Sequence, residues 1–381
     1  MTSTDTDWAA HAAGLAAALT DSGDLHDPAW AAALAATPRH LLVPVAYQQQ
    51  ADGSWAEFDT GGQDLELAYS PTTLVTEIND DGAAISSSTK PDLMVRMLET
   101  LDVQDGHRVL EIGTGTGYNA ALLTHRLDAD HVFSLDVGPE LVATARQRLA
   151  SIGCRPHLAA HDGIGGWPEH APYDRIIATC SVPSIPWDWA QQLTIGGKLL
   201  ADLKLGTGAG NLVLLHRYDD RLEGRFTKRW AAFMGMRHHG DVTAIHTPKA
   251  EPSTQRVTTT PAQPWNTDRE VWLLSCLRLP RDLSYGYTLD PTTRTPKATT
   301  LSAPDGSWCE VELTTDDSVF RQVREGGPTP LWGQVERAYD LWRQWNQPSW
   351  ERLGLTVTQD AQVVWLDEPH NIVTRSGSGG G

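Results

Sequence analysis

Basic residues are scarce in this 381-residue chain: 30 Lys and Arg face 48 Asp and Glu, leaving a formal net charge of −18. Binding nucleic acid through phosphate neutralisation and counterion release needs the opposite balance, so that class is excluded. Cysteine is scarcer still. Cys154, Cys180, Cys276 and Cys309 lie far apart and form no CxxC pair, so neither a disulfide framework nor a zinc site is expected, and reduced thiols in a cytoplasmic protein are. No metal is expected elsewhere either. Long apolar runs are missing: nothing approaches the roughly 18 residues a membrane span requires. The mildly apolar stretch 8–19 follows Asp5 and Asp7 rather than Lys or Arg. It therefore lacks the basic flank of a secretory signal and reads as an Ala-rich helix. A second helix is expected over 28–37, with Asp27 as cap and Pro28 in the first turn.

The shortage of bases is uneven. Residues 1–219 hold 12 basic and 28 acidic residues, residues 220–381 hold 18 and 20, and residues 1–82 hold 13 acids and a single base, Arg39. Units with different surfaces are implied, and the length allows two or more. With 40% hydrophobic and 20% charged residues, the chain can bury a large core. Tryptophan is the surplus: 15 Trp against 5 Phe, nine of them beyond residue 220.

From 106 to 205 strands alternate with helices. Residues 107–112, 131–136, 173–179 and 197–203 read as strands, and 118–127, 139–153 and 187–193 as helices, an order that implies βαβ units and a parallel sheet. A Pro/Thr-rich stretch, 247–264, reads as a linker or long loop. Beyond it, 270–279 and 307–314 read as strands, 335–345 as a helix, and 355–367 as two strands around a turn at Asp360, together a separate α+β module. The expected division is 1–82, 83–220, a connecting segment 221–269, a module 270–375, and a flexible tail 376–381.

The strongest local signal is EIGTGTGYN, 111–119, which sets Gly113, Gly115 and Gly117 between a strand and a helix. Glycines there permit a tight turn and let a ligand reach the backbone at the helix start. Asp136 ends the next strand, where a carboxylate can take both ribose hydroxyls. The spacing is G-x-G-x-G, not the G-x-G-x-x-G that suits a pyrophosphate, and Asp162-Gly163 follows the next βα unit, within reach of an adenine. A nucleoside without a pyrophosphate fits this set better than a dinucleotide.

These motifs, with HDGIGGWPEHAPYDRII (161–177) and QLTIGGKLL (192–200), resemble the protein-L-isoaspartate O-methyltransferase family. TPRHLLVP (37–44), AYSPTTLVTEI (68–78) and ISSSTKPDLMVRMLETL (85–101) agree, and the resemblance covers roughly residues 35–205. It implies an α/β fold: a Rossmann-like class I methyltransferase with an N-terminal helical, substrate-side segment and an added C-terminal α+β module. It also implies S-adenosyl-L-methionine as cofactor, held by Glu111, Gly113, Thr114, Gly115, Gly117, Asp136, Val137, Asp162 and Gly163. Where the family has Ser-x-Pro, with the serine hydroxyl facing the acceptor carboxylate, this chain has Thr89-Lys90-Pro91. Thr89 is the expected functional hydroxyl, with Ser88, Ser87 and Ser86 as alternatives. A carboxylate is already ionised near pH 7, so no general base is needed. Positioning and exclusion of water should supply most of the rate. Because carboxylate and sulfonium charges cancel in the transition state, an orienting hydroxyl suits the reaction better than a strongly basic pocket.

The family resemblance implies that general repair enzymes are little longer than the catalytic domain. Here residues 331–367 resemble the C-terminal extension of methyltransferases that accompany ribosomally made, modified peptides, both lanthipeptides and ATP-grasp-ligated peptides. That resemblance implies methylation of an aspartate in a macrocyclised precursor, then loss of methanol to an aspartimide that can hydrolyse to isoaspartate. The partner would be a cyclised peptide, with no nucleic acid and no membrane. Two alternatives stand: a general isoaspartyl repair enzyme, and a non-catalytic scaffold that binds cofactor and a peptide partner. Each tryptophan alone reads as core; the nine together would suit a peptide groove. RFTKRW (225–230) and Arg237-His238-His239 read equally as an anchor for an acidic substrate or as a solvated basic face.

Overall fold

The structure is a computed structural model and describes residues 3–206, 208–237, 253–313 and 319–377. A ten-stranded sheet dominates it. From one edge its strands run Ile372–Gly377, Ala361–Leu366, Leu353–Val357, Leu222–Phe226, Ala209–Arg217, Leu193–Leu205, Tyr173–Val182, Val109–Ile112, Val132–Asp136 and His157–Ala160. The last five are parallel to their neighbours within this group, and the remaining pairings are antiparallel. The parallel strands read as continuous apolar runs because helices cover both faces; all four residues of Val109–Ile112 are buried. Asp27 caps the helix Pro28–Ala36, accepting from Ala29 N at 2.8 Å.

A four-stranded antiparallel sheet, ordered Trp55–Phe58, Ala46–Gln49, Leu74–Ile78, Ala84–Ser88, carries the hydroxyl-rich strand up to the catalytic sheet. A five-stranded antiparallel sheet is ordered Thr254–Thr258, Arg321–Gly326, Trp308–Glu312, Pro296–Ser302, Ser284–Leu289. No helix among the described residues is long and apolar enough to cross a membrane.

Several expectations for the second half change. Residues 270–279 are not a strand; Arg269–Cys276 is a helix lying against Ala209–Arg217 and the helix Leu331–Gln344. Val271, Trp272, Leu273 and Leu274 are all buried, and a helix covered all round has no apolar stripe to distinguish it from a buried strand. The expected connecting segment holds Leu222–Phe226, which pairs with Ala209–Arg217 on one side and Leu353–Val357 on the other. The expected linker 247–264 holds the strand Thr254–Thr258; residues 238–252 lie outside the described residues. Gly377, expected in a flexible tail, pairs with Ala361 at the sheet edge. Nor does the C-terminal part stand apart: one apolar cluster runs from Leu110 and Phe133 through Trp189 and Leu215 to Trp272, Trp332 and Leu355. Trp265, Trp272, Trp308, Trp332, Trp350 and Trp365 are buried, and Trp342 and Trp345 pack against that cluster. These eight tryptophans build core, although Trp365 also borders a surface cleft with Arg225 and Glu351, and the ninth, Trp230, is exposed.

Candidate active site

At the end of Val109–Ile112 the chain turns through the glycine loop. Gly113 has φ of +103°, and a Cβ there would stand 2.6 Å from Thr179 Oγ1, so the position demands glycine for both conformation and space. The loop is tied to the next strand: Gly113 N and Thr114 N both donate to Leu135 O, at 2.8 and 2.9 Å. Asp136 braces it further, accepting from Gly115 N at 2.9 Å and from Gly138 N at 3.2 Å. Beneath the loop a chain of polar groups closes on Glu111. Thr114 Oγ1 meets Ser134 Oγ at 2.6 Å, Ser134 donates to one Glu111 oxygen at 2.6 Å, and Asn119 Nδ2 donates to the other at 2.8 Å. Glu111 is fully buried, and burial pushes its pKa up to about 7 against the pull of those two hydrogen bonds.

Thr89, Ser88, Glu111, Gly113, Thr114, Gly115, Asp136, Val137 and Gly163 line one cleft. Gly117 and Asp162 stand outside its lining. Gly117 turns the chain into the helix Tyr118–Leu127, and a Cβ there would meet Leu149 at 3.0 Å. Asp162 accepts from Ile164 N at 3.0 Å, capping a short turn that delivers the Gly163 backbone to the cleft.

The facing wall is Ile85–Thr89, close enough that a Cβ on Gly115 would lie 3.8 Å from Ser87 O. Its hydroxyls are not equivalent. Ser86 Oγ accepts from Thr76 Oγ1 at 3.1 Å, and Ser88 Oγ, buried, accepts from Arg39 Nη2 at 3.3 Å. Thr89 gives its carbonyl to Arg39 at 3.2 Å, while the hydroxyls of Thr89 and Ser87 make no hydrogen bond among the described residues. Arg39, the lone base of the first 82 residues, is 0% exposed. Its guanidinium donates to the carbonyls of Ala68 (2.9 Å), Ser70 (3.3 Å), Thr72 (3.3 Å) and Ser88 (3.4 Å), and sits 5.0 Å from the Tyr118 ring centroid. A planar fork of five donors is what lets one residue pin two loops at once.

The third wall is Met234–Arg237. Ser181 N donates to Met234 O at 2.8 Å and Met236 N to Ser181 O at 2.7 Å. Phe233 N donates to Asp202 Oδ2 at 2.8 Å and Lys204 Nζ to Phe233 O at 2.9 Å. Asp202 is buried, and its pKa is pushed up to about 6. Cys180 also lines the cleft, but burial and the nearby carboxylates push its thiol up to about 12. It stays protonated at neutral pH and is no nucleophile. Among the described residues no group of three His, Cys, Asp or Glu could hold a metal ion.

Of the basic stretch 225–230, little faces the cleft. Arg225 stacks 4.7 Å from the Trp365 ring centroid and donates to Glu351 O at 3.2 Å. Arg229 pairs with Asp24, and Arg269 lies 3.8 Å from the Trp230 ring centroid. Arg237 does reach the cleft; His238 and His239 lie outside the described residues. Thr179 and Cys180, at the end of Tyr173–Val182, and Met234–Met236 carried no motif, and only long-range pairing with Ser181 brings the last three in.

A parallel sheet with a glycine loop after its first strand and a bracing carboxylate at the end of its second makes a Rossmann-like nucleoside site, and with the family match it places the chain among class I S-adenosyl-L-methionine-dependent methyltransferases. The family profile for protein-L-isoaspartate(D-aspartate) O-methyltransferase matches residues 11–230, and the chain belongs to that family. It is 36% identical over 194 residues to protein-L-isoaspartate O-methyltransferase 2 of Pelobacter propionicus, covering 51% of this chain and 75% of the relative. With the Picosynechococcus protein-L-isoaspartate O-methyltransferase it shares 36% over 200 residues, 52% and 78% of the two chains. A solved protein-L-isoaspartate O-methyltransferase overlays 93% of this chain and 99% of its own, with TM-score 0.55 and 23% identity. The shared fold therefore runs past the catalytic sheet into the C-terminal sheets. That solved structure thus carries C-terminal sheets as well, against the expectation that repair enzymes of the family end little beyond the catalytic domain.

The cleft fits the cofactor. Side chains are barred on the cleft floor at Gly113 and Gly163, where a Cβ would strike Thr179 Oγ1 at 2.6 Å and Ile112 Cγ2 at 2.5 Å, and Asp136 stands at the strand end beside them.

Proposed function

We propose that this chain methylates the carboxylate of an aspartyl-derived residue in a peptide or protein, the isoaspartyl residue named for its relatives being the leading acceptor. One observation carries the reading: Thr89 faces the glycine loop across a single cleft with its hydroxyl unspent, whereas Ser88 is taken up by Arg39. When bound, S-adenosyl-L-methionine supplies a methyl group made electrophilic by its sulfonium. Asp136 would take the ribose hydroxyls, and the Gly163 backbone would lie beside the base. Thr89 would donate a hydrogen bond to one oxygen of the acceptor carboxylate and leave the other free to attack. Arg39 holds the Thr89 carbonyl and so sets where that hydroxyl stands, without lending its charge to the reacting oxygens. No proton has to leave the acceptor. The protein's contribution is alignment and a dry site.

A dedicated role on an aspartate of a macrocyclic ribosomal peptide, ending in an aspartimide, rests on the resemblance of residues 331–367 alone. Incubating the purified chain and S-adenosyl-L-methionine with a linear isoaspartyl peptide, and separately with a cyclised ribosomal precursor, separates the readings by mass spectrometry. Gain of a methyl ester on the linear peptide supports general repair. Methylation confined to the cyclised aspartyl peptide, followed by loss of one water overall, supports the dedicated role. Absence of methylation on both would leave the chain a non-catalytic binder and sink the proposal.

A further inference from the structure

Among the described residues the cleft is lined by hydroxyls, sulfur, apolar side chains, backbone and two acidic side chains, and a single cationic side chain stands among them: Arg237. Both carboxylates, Glu111 and Asp136, are held by their own neighbours. The other bases nearby are spent, Arg39 on carbonyls and Lys90 on Asp92 at 2.8 Å. Arg237 is half-buried and makes no hydrogen bond or ion pair among the described residues. Its position is nonetheless built, because the strip that ends in it is hydrogen-bonded to both sides of Ser181 and anchored through Phe233 to Asp202 and Lys204.

A free cation in a cleft that must also hold a sulfonium is unfavourable unless an anion arrives with the ligand. The reacting carboxylate is a poor candidate. A guanidinium on its oxygens would stabilise the fully charged ground state more than a transition state in which that charge is being cancelled. A carboxylate that does not react carries no such penalty. We infer that Arg237 is a specificity-determining residue that receives a second, non-reacting carboxylate of the peptide, an Asp or Glu side chain beside the methyl-accepting residue. This rests on the reading of the substrate as a peptide carboxylate. The chain's net charge of −18 repels acidic peptides at long range, but charges beyond about 8 Å are screened at physiological ionic strength. The preference is therefore for one acid at one place and not for acidic peptides in general.

The test uses the full chain with S-adenosylhomocysteine bound, so that no turnover is needed. Calorimetry would compare two isoaspartyl peptides that differ only in Glu or Gln next to the isoaspartyl residue, each flanking position being tried in turn. Wild type should bind the Glu peptide roughly tenfold more tightly than the Gln peptide at one flank, the scale of a charge-assisted hydrogen bond. Arg237→Gln should bring the Glu peptide to the level of the Gln peptide, leave the Gln peptide and S-adenosyl-L-methionine within about twofold, and raise KM for the Glu peptide with little change in kcat. Arg237→Lys should keep part of the preference. Equal binding of the two peptides by wild type overturns the inference and leaves the proposed reaction standing. Lost cofactor affinity in Arg237→Gln overturns it too, assigning the guanidinium to the cofactor's carboxylate. Failure to bind either peptide removes the substrate reading and the inference with it.

Discussion

The two halves of the ten-stranded sheet share a core and differ in what they can collect at an edge. In the parallel half, each strand must leave its end through a loop to a helix before returning. The ends of Val109–Ile112, Val132–Asp136 and Tyr173–Val182 therefore gather on one side, and the cleft is made there. The antiparallel half begins where Leu193–Leu205, parallel to Tyr173–Val182 on one side, pairs antiparallel with Ala209–Arg217 on the other, and from there to Leu222–Phe226 short turns join the strands at alternating ends. No common edge collects their polar ends. That half contributes to the site indirectly, through Asp202, Lys204 and the chain that leaves Leu222–Phe226 to form the Met234–Arg237 wall.

If the second half is support built on the same core, Trp332→Ala should have the largest effect. Trp332 is fully buried in the shared cluster, and truncating such a residue costs about 3–5 kcal/mol. Calorimetry should show one transition moved to lower temperature, with cofactor affinity unchanged below it. Two separate transitions, only one of them shifted, would break the claim of a common core.

Glu111 tests the parallel half from within. Its folded pKa is about 7, against 4.5 for the ordinary group. Below pH 4.5 both folded and unfolded chains hold the proton. As pH rises towards 7 the unfolded chain loses it first, so folding becomes less favourable, by about 3 kcal/mol in all, and levels off above that. Glu111→Gln has no proton to lose there. The stability of wild type relative to this variant should therefore fall from pH 4.5 to 7.5, and a flat difference would mean that Glu111 is not held in the protonated form. Asp202, raised to about 6, follows the same sign in both proteins and cancels.

Asp136→Ala removes the brace on Gly115 and the group proposed for the ribose. Loss of charge-assisted hydrogen bonds worth about 1.5–3 kcal/mol predicts cofactor affinity roughly 10- to 100-fold weaker by calorimetry. Unchanged affinity would move the ribose elsewhere. Smallest of the four is Thr89→Ala, which should lower kcat roughly five- to tenfold, the value of one neutral hydrogen bond, with cofactor affinity kept. Thr89→Ser should stay near wild type. If the serine and alanine variants behave alike, the hydroxyl is not what the position supplies.

Much of the parallel half was legible because its signals are local. A strand, three glycines at alternate positions and an acid ending the next strand are backbone requirements, and they read directly from residues 107–136. The hydroxyl wall was only half legible: ISSST announced hydroxyls, but which one is unspent depends on Arg39, about fifty residues earlier in the chain. The antiparallel half was poorly legible. The helix Arg269–Cys276 looks like a strand because Val271–Ser275 are buried all round, and the tryptophans, each readable as core, suggested a groove as a set because composition does not report burial.

By itself, then, the sequence determined the glycine loop, the acidic residues around it, and a family resemblance that the matching profile over residues 11–230 bears out. These depend on neighbours within a few residues, where steric and hydrogen-bonding rules act without help from the rest of the chain. Only the tertiary structure decided that the single base of the acidic N-terminal segment is a buried strut and that Ser88 is occupied while Thr89 is free. It also decided that Leu353–Val357 closes on Leu222–Phe226, and that Arg237 stands in the cleft with no partner among the described residues. Each of those facts rests on groups brought together across dozens of residues, where packing and desolvation, not local propensity, choose the partner.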